Sequence, residues 1–247
     1  MSENTAVPPS SVTDTRRLTV AAAQPKTVLN DSDTNALAHA DAIRRSRARL
    51  VVFPEMSLTG YSMDAPVVHS NDPAFDVIAE ACRDTHTVAL VGAAVRCESR
   101  RAIGVIAVDG SGAQVAYRRM SLGGAEVDAY VAGCTPGVVT VDGWRVGLGV
   151  CKDTRISEHL DATADAGIDI YAAGLLHRPE ELSAFDDRAV AIVERFGVAV
   201  VFAGFAGATG GGFPVTSGGS AIWNRRGQCL QRAGDQTGDY AAAELRL

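Results

Sequence analysis

The sequence contains very little lysine. Of its 23 basic residues only Lys26 and Lys152 are lysines, and 29 acidic residues bring the formal net charge to -6. Domains whose main partner is a nucleic acid carry an excess of positive charge to neutralise phosphates. The charge balance therefore argues against nucleic acid as a main partner.

Long apolar runs are also missing. No stretch approaches the roughly 20 apolar residues that a membrane-spanning helix needs, and residues 1–15 lack the basic-then-apolar layout of a secretory signal. We therefore predict a cytoplasmic protein with no membrane partner. Residues 1–15 are rich in Ser, Thr, Pro and Asn and are predicted to form a flexible tail, followed by a single domain over residues 16–247.

The sequence has no C-x-x-C pair and no regular histidine spacing. Its odd number of cysteines favours reduced thiols and argues against a structural zinc site. The five histidines are scattered, and none is assigned to a metal. We predict no metal and no cofactor. The cysteines are Cys82, Cys97, Cys134, Cys151 and Cys229.

Helical and extended patterns alternate along the chain, which predicts an α/β protein with mixed sheets. Asp109–Gly112 and Asp142-Gly143 indicate hairpins. The glycine-rich stretch Gly204–Gly219 has neither a G-x-G-x-x-G pattern nor a P-loop lysine and is predicted to be a mobile surface loop. Helices are predicted from Asp31 or Asp33 to Arg47, from Asp72-Pro73 to Thr85, from Ile156 to Ala166 and from Glu180 to Phe196. Strands are predicted over Leu18–Ala23, Leu50–Phe53, Val88–Ala94, Ala102–Val108, Ala113–Arg118, Val138–Val141, Arg145–Val150, Ile168–Ala172, Val198–Ala203, Ser220–Trp223, Gln228–Arg232 and Tyr240–Leu245.

Cys151 stands at the end of a predicted buried strand. Val146, Leu148 and Val150 alternate with small residues, and helix-compatible sequence begins at Ile156. Ligands usually bind at this edge of an α/β sheet, where the N–H groups of a following helix favour a thiolate. Cys151 is therefore a candidate nucleophile and is expected to be the only strongly activated thiol. The alternative is a small buried hydrophobic residue.

Charged residues follow two other predicted strands. Glu55 comes directly after Val51–Pro54 and could be a general base or a neutralised charge at the sheet edge. Arg118 and Arg119 end another strand, with Glu126 shortly beyond, and on their own could form a solvated basic edge.

Taken together, these segments resemble the nitrilase, or carbon–nitrogen hydrolase, superfamily. Phe53–Tyr61 looks like the general-base segment of that family, Tyr117–Leu122 its lysine segment and Gly147–Arg155 its nucleophile segment. Residues 133–137, 217–222 and 224–227 are similar to further family turns, so that the resemblance extends from about Leu18 to Leu247.

The resemblance implies a four-layer α-β-β-α sandwich that forms a homodimer or a higher homo-oligomer through its outer helices. It implies Glu55 as the base, Cys151 as the nucleophile and Glu126 as a second glutamate. The family's lysine position is occupied by Arg119, which keeps the positive charge but cannot release a proton. Lys152 would replace that lysine only if its side chain turned inward.

The sequence thus predicts a thiol-dependent hydrolase that cleaves a small amide, carbamoyl compound or nitrile through a thioester on Cys151. The backbone N–H of Lys152 and the side chain of Arg119 would hold the oxyanion. The alternative is a catalytically silent relative that binds a small amide or carboxylate. Specificity would come from loops around Tyr61–Val68, Ala173–Arg178 and Gly204–Phe213, with Lys152, Tyr61, Gly174 and His177 as candidate substrate-binding residues. His177 with Arg178 could hold a substrate carboxylate or lie at the surface.

Overall fold

Two mixed six-stranded sheets form the centre of the molecule. In the computed structural model, residues 16–247 are described, and the predicted tail over residues 1–15 lies outside them. In both sheets a central set of three parallel strands is flanked by antiparallel strands. The parallel strands match the alternation of helix and strand in the sequence, and the antiparallel strands match its hairpins.

The first sheet has the order β12-β1-β2-β3-β4-β5. Strand β12 comes from the far end of the chain and pairs along the whole of β1, from Arg17 with Arg246 to Gln24 with Asp239. The strands are β1 (Arg17–Gln24), β2 (Leu50–Val52), β3 (Val88–Cys97), β4 (Arg100–Asp109), β5 (Gly112–Arg118) and β12 (Asp239–Arg246).

The second sheet has the order β11-β10-β9-β8-β7-β6. The strands are β6 (Gly137–Val141), β7 (Trp144–Val150), β8 (Ile170–Leu175), β9 (Ala199–Gly204), β10 (Ala221–Trp223) and β11 (Cys229–Arg232). All twelve predicted strands are present, with ends shifted by a few residues.

Five α-helices are present within residues 16–247. Four were predicted, whereas the single turn α3 was not, because four residues are too few to show a helical period. The Asp31 side chain caps α1 by accepting the Thr34 N–H at 3.0 Å. Two other helices begin later than predicted, because a 3-10 turn precedes each of them. The helices are α1 (Ser32–Ser46), α2 (Ala74–Thr85), α3 (Glu126–Ala129), α4 (Ser157–Asp165) and α5 (Leu182–Phe196).

Three apolar cores separate four layers, which confirms the predicted α-β-β-α sandwich. One core lies between the sheets, where Val20 and Val52 of the first sheet meet Leu148 of the second. A second core joins α1 and α2 to the first sheet, and a third joins α4 and α5 to the second. Among residues 16–247 there is no helix of the length and hydropathy that a membrane span requires.

Two glycines let the backbone after β2 pass between the sheets. A Cβ on Gly92 of β3 would lie 2.3 Å from the Pro54 carbonyl oxygen, and one on Gly174 of β8 would lie 2.6 Å from the Glu55 nitrogen. Neither strand could carry a side chain at these points without displacing the segment. Because Gly92 and Gly174 have no side chains, the Glu55 backbone can pack closely against both sheets.

Candidate active site

Cys151 lies immediately after β7, at the start of a 3-10 turn over Cys151–Arg155. Its φ of 43° is in the left-handed region, which is strained for a residue with a side chain and is often found at functional sites. The predicted strand-end position is thus observed. The N–H groups that follow the thiol belong to this turn, however, because α4 begins only at Ser157.

Glu55 is buried next to the thiol, with 1% of its surface exposed. Its Oε1 accepts a hydrogen bond from Arg119 Nη1 at 2.5 Å, whereas Oε2 has no hydrogen-bond partner in the part of the chain that the structure describes. Burial raises the pKa of the Glu55 carboxyl to about 7, even though the Arg119 charge and the Cys151 thiol lower it. Near neutral pH this carboxyl can both accept and return a proton.

Arg119 joins two buried carboxylates. The same Nη1 that binds Glu55 also donates to Glu126 Oε1 at 2.8 Å, and Nε donates to the Ser121 carbonyl at 2.9 Å. Within residues 16–247, Nη2 makes no hydrogen bond, and the residue as a whole is only 2% exposed. Arg119 is therefore a fixed cation behind Glu55, with one terminal nitrogen still free to donate.

Glu126 holds this cation in place. Its Oε1 also accepts the Tyr61 hydroxyl at 3.0 Å, and its Oε2 accepts the Gly123 N–H at 2.8 Å. Tyr61, Glu126, Arg119 and Glu55 therefore form one continuous hydrogen-bonded chain that ends at Glu55, beside the thiol. The structure brings together all four residues that the sequence assigned to catalysis: Glu55, Arg119, Glu126 and Cys151.

The Cys151 thiol is protonated in the resting protein. Burial raises its pKa to about 12, the charge of Glu55 acts in the same direction, and Arg119 opposes them. These effects run against the expectation of a strongly activated thiol, because the charge of Glu55 raises the pKa of the thiol and α4 begins only at Ser157. Cys134 and Cys229 are exposed, so reactivity toward bulky reagents does not identify the nucleophile.

Sequence reasoning missed the carboxylate of Asp153, which is fully buried behind the nucleophile. Its Oδ1 accepts the Ser121 N–H at 2.9 Å, and its Oδ2 accepts the Val150 N–H at 3.1 Å and the Tyr117 hydroxyl at 2.7 Å. Asp153 therefore ties the segment that carries Arg119 to the turn that carries Cys151. The sequence signal for Asp153 was its position two residues after Cys151, which itself directly follows a buried strand.

A cavity of about 230 Å³ opens onto the thiol. It is smaller than the ~300–1,000 Å³ of most pockets for drug-sized ligands, so it fits a small molecule. The glycine-rich stretch, which was predicted to be a mobile surface loop and to supply a specificity loop over Gly204–Phe213, contributes Phe213 to its wall. The lining residues are Glu55, Tyr61, Cys151, Leu176, Arg178, Glu181 and Phe213.

Three predicted substrate-binding residues do not line this cavity. The Lys152 Nζ donates to the Leu122 carbonyl at 2.5 Å, and Lys152 does not line the cavity, which leaves its backbone N–H as the candidate donor to an oxyanion. Gly174 is a packing position beneath the Glu55 backbone. His177 is buried with Nε2 2.9 Å from Arg188 Nη2, and burial lowers its pKa to about 4, so it is neutral at pH 7. Its neighbour Arg178 faces the cavity instead.

Across the part of the chain that the structure covers, no cluster of three His, Cys, Asp or Glu side chains could hold a metal ion.

Comparisons with known proteins give a family and a fold. The family model described as carbon-nitrogen hydrolase matches residues 19–247. No curated protein matches the chain. Among solved structures, an amidase from Nesterenkonia sp. AN1, in a mutant form with acrylamide added to its active-site cysteine, has a TM-score of 0.80 at 23% identity, with 92% of each chain covered.

Two further solved structures have the same fold. Nit3 from Saccharomyces cerevisiae, a member of branch 10 of the nitrilase superfamily, has a TM-score of 0.80 at 18% identity, with 92% of this chain and 89% of that chain covered. XC1258 from Xanthomonas campestris, a CN-hydrolase superfamily protein with an arsenic adduct in its active site, has a TM-score of 0.81 at 18% identity, with 93% and 90% covered. At these identities the likeness establishes the fold alone.

Proposed function

Because the chain belongs to the carbon–nitrogen hydrolase family, we propose that it hydrolyses the carbon–nitrogen bond of a small amide, carbamoyl compound or nitrile through a thioester on Cys151. One observation carries the proposal. Glu55, whose buried Oε2 has no hydrogen-bond partner among residues 16–247, lines the same small cavity as Cys151.

For an amide, the first step is attack of the Cys151 sulfur on the carbonyl carbon while Glu55 takes the thiol proton. The pKa of Glu55 is about 7 and that of the thiol about 12, so no thiolate accumulates before attack. Proton transfer accompanies carbon–sulfur bond formation, and the carbonyl oxygen becomes the oxyanion of a tetrahedral intermediate.

The backbone N–H of Lys152 and the charge of Arg119 stabilise that oxyanion. A preorganised donor at such a position typically contributes about 2.7–4 kcal/mol to lowering the barrier. The Nη1 group of Arg119 is occupied by the two glutamates, which leaves Nη2 as its available donor.

Glu55 then gives its proton to the nitrogen as the carbon–nitrogen bond breaks, and ammonia or an amine departs. The acyl group remains as a thioester on Cys151. A water molecule enters, Glu55 accepts its proton, and hydrolysis releases a carboxylic acid and restores the thiol. Because a guanidinium cannot lose its proton in this pH range, Glu55 carries every proton transfer.

The test is mass spectrometry and ammonia detection after incubation with a panel of small amides and nitriles. We expect ammonia release together with a transient acyl adduct on the peptide that contains Cys151. Cys151→Ala should abolish both signals, whereas Cys229→Ala, at an exposed cysteine outside the cavity, should leave them unchanged. Turnover that persists in Cys151→Ala would contradict the proposal.

One contact supports a second function, the binding of a small amide or carboxylate without turnover. Arg119 Nη1 holds Glu55 Oε1 at 2.5 Å, and this charge lowers the pKa of the base against the effect of burial. A silent protein would bind ligands in the cavity, and neither ammonia nor a Cys151 adduct would form. The same experiment therefore separates the two functions.

The proposal includes a homodimer that works in the cytoplasm, built on the outer helices. Leu37 of α1 is 62% exposed, and this apolar side chain would be buried in such a contact. Light scattering at micromolar concentration should give the mass of a dimer or larger assembly, and a monomer would overturn this part.

A further inference from the structure

Arg178 places a positive charge at the mouth of the cavity. It follows β8 by three residues and lines the same space as Cys151 and Glu55. Its guanidinium carbon lies 4.9 Å from the centre of the Phe213 ring, a cation–π contact that keeps the head of this exposed side chain in place.

This guanidinium pairs with no carboxylate in the described part of the chain. Other arginines of this half of the chain do form such pairs: Arg195 pairs with Asp161 and Arg232 with Asp186, both at 2.6 Å. The acid next to Arg178 in the cavity wall is Glu181, which accepts the Arg178 backbone N–H at 2.8 Å. Glu181 therefore fixes the backbone of Arg178 without pairing with its charge.

Two further arginines act on His177, the residue before Arg178 in the chain. The charges of Arg188 and Arg155 both lower the pKa of the buried His177, and neither arginine pairs with a carboxylate within residues 16–247. Arg188 instead donates to Thr154 Oγ1 at 3.3 Å and faces His177 at 2.9 Å. Arg178 is the basic residue among those that line the cavity, and an anionic group of a ligand is favoured beside it.

We propose that the substrate carries a carboxylate remote from its scissile amide, and that Arg178 binds this carboxylate. The inference rests on the proposed hydrolase function and narrows it to small linear amides with one anionic end. Arg178 acts as a specificity-determining residue, because its planar fork matches a carboxylate and orients the amide toward Cys151.

The experiment compares glutaramate with pentanamide, which has about the same length and no charge. Hydrogen bonds to a charged group are worth about 1.5–3 kcal/mol, so we expect kcat/KM for glutaramate to be about 10- to 100-fold higher in the wild type. Arg178→Leu should abolish the preference, and Arg178→Lys should retain part of it. Glu181→Gln keeps an acceptor for the Arg178 N–H but removes a negative charge, and should increase the preference.

Arg226→Leu is the matched control, because it replaces an exposed arginine outside the cavity and so removes one positive charge. The preference of this variant for glutaramate over pentanamide should equal that of the wild type. Equal kcat/KM for both amides, or a preference that survives Arg178→Leu, would overturn the inference. Calorimetry of glutaramate with Cys151→Ala gives a readout independent of turnover. Arg178-dependent binding of glutaramate without hydrolysis by the wild type would support this inference while refuting the hydrolase function. Equal affinity of Cys151→Ala for glutaramate and pentanamide would refute the inference.

Discussion

The substitution Arg119→Ala tests how the pKa of Glu55 is set. In the wild type one nitrogen of Arg119 donates to both buried glutamates, and its charge opposes the effect of burial on Glu55. Without Arg119, burial and the neighbouring Glu126 act unopposed by a cation, so the pKa of Glu55 must rise above about 7.

The sign and size of the effect follow from the proposed role of Glu55. Only the deprotonated carboxylate can take the thiol proton, so kcat/KM should reach a plateau above pH 7 and fall tenfold per pH unit below it. This fall is the acid limb of the pH profile. The lost charge-assisted hydrogen bond is worth about 1.5–3 kcal/mol, which moves the acid limb up by about 1–2 pH units. Loss of an oxyanion donor lowers the high-pH plateau by a further factor of about 10²–10³.

The assay is ammonia release between about pH 5.5 and 9.5, with limb and plateau fitted separately. Arg119→Lys keeps a positive charge beside Glu55, so its limb should remain near pH 7 and its plateau should match or exceed the wild type. Arg118→Ala is the control, because that neighbouring side chain donates to the Arg96 carbonyl and not to a site residue. An acid limb near pH 7 in Arg119→Ala, with an undiminished plateau, would refute the reasoning.

Three further predictions concern the nucleophile and its supports. Measured by peptide mapping relative to the exposed Cys229, the rate at which acrylamide modifies Cys151 in the native protein should exceed the rate for a bulky maleimide; the reverse order of these relative rates would contradict a small cavity. Asp153→Asn loses an acceptor for buried donors and should lower the free energy of unfolding by about 1–3 kcal/mol, with a fall in kcat at nearly constant KM. Tyr117→Phe, which removes one of the hydrogen bonds to Asp153, should lower the free energy of unfolding by about 1 kcal/mol in urea titrations. An Asp153→Asn protein as stable and active as the wild type would contradict the prediction. Gly174→Ala places a methyl group 2.6 Å from the Glu55 nitrogen and should lower both Tm and kcat, since overpacking of this kind costs about 1–3 kcal/mol; wild-type kcat in this variant would contradict the packing argument.

The sequence predicts the layers of the fold because each layer has its own periodicity. Apolar alternation marks strands such as β7, helical spacing marks α1, and turn residues mark the hairpins. The same reasoning places Glu55 and Cys151 at strand ends. It cannot show that these ends face each other, because that contact depends on how two separate sheets pack.

What the sequence does not predict depends on side-chain orientation. Lys152 and His177 are adjacent in the chain to residues of the cavity, yet one points to a backbone carbonyl and the other into the protein. The double contact of Arg119 likewise depends on α3, which is too short to leave a periodic signal. Phe213 lies in a glycine-rich stretch whose path cannot be derived from composition.

The pairing of β12 with β1 has a consequence for how the protein is made. Strand β1 pairs along its full length with β12, which is synthesised long after it. Until β12 emerges, one edge of the first sheet has no partner and exposes a row of backbone N–H and C=O groups. A topology with such high contact order folds slowly, since distant segments must meet before their contacts are gained. The nascent chain is therefore most prone to aggregation between the emergence of β1 and the arrival of β12, and chaperones that cover strand edges should act in this interval.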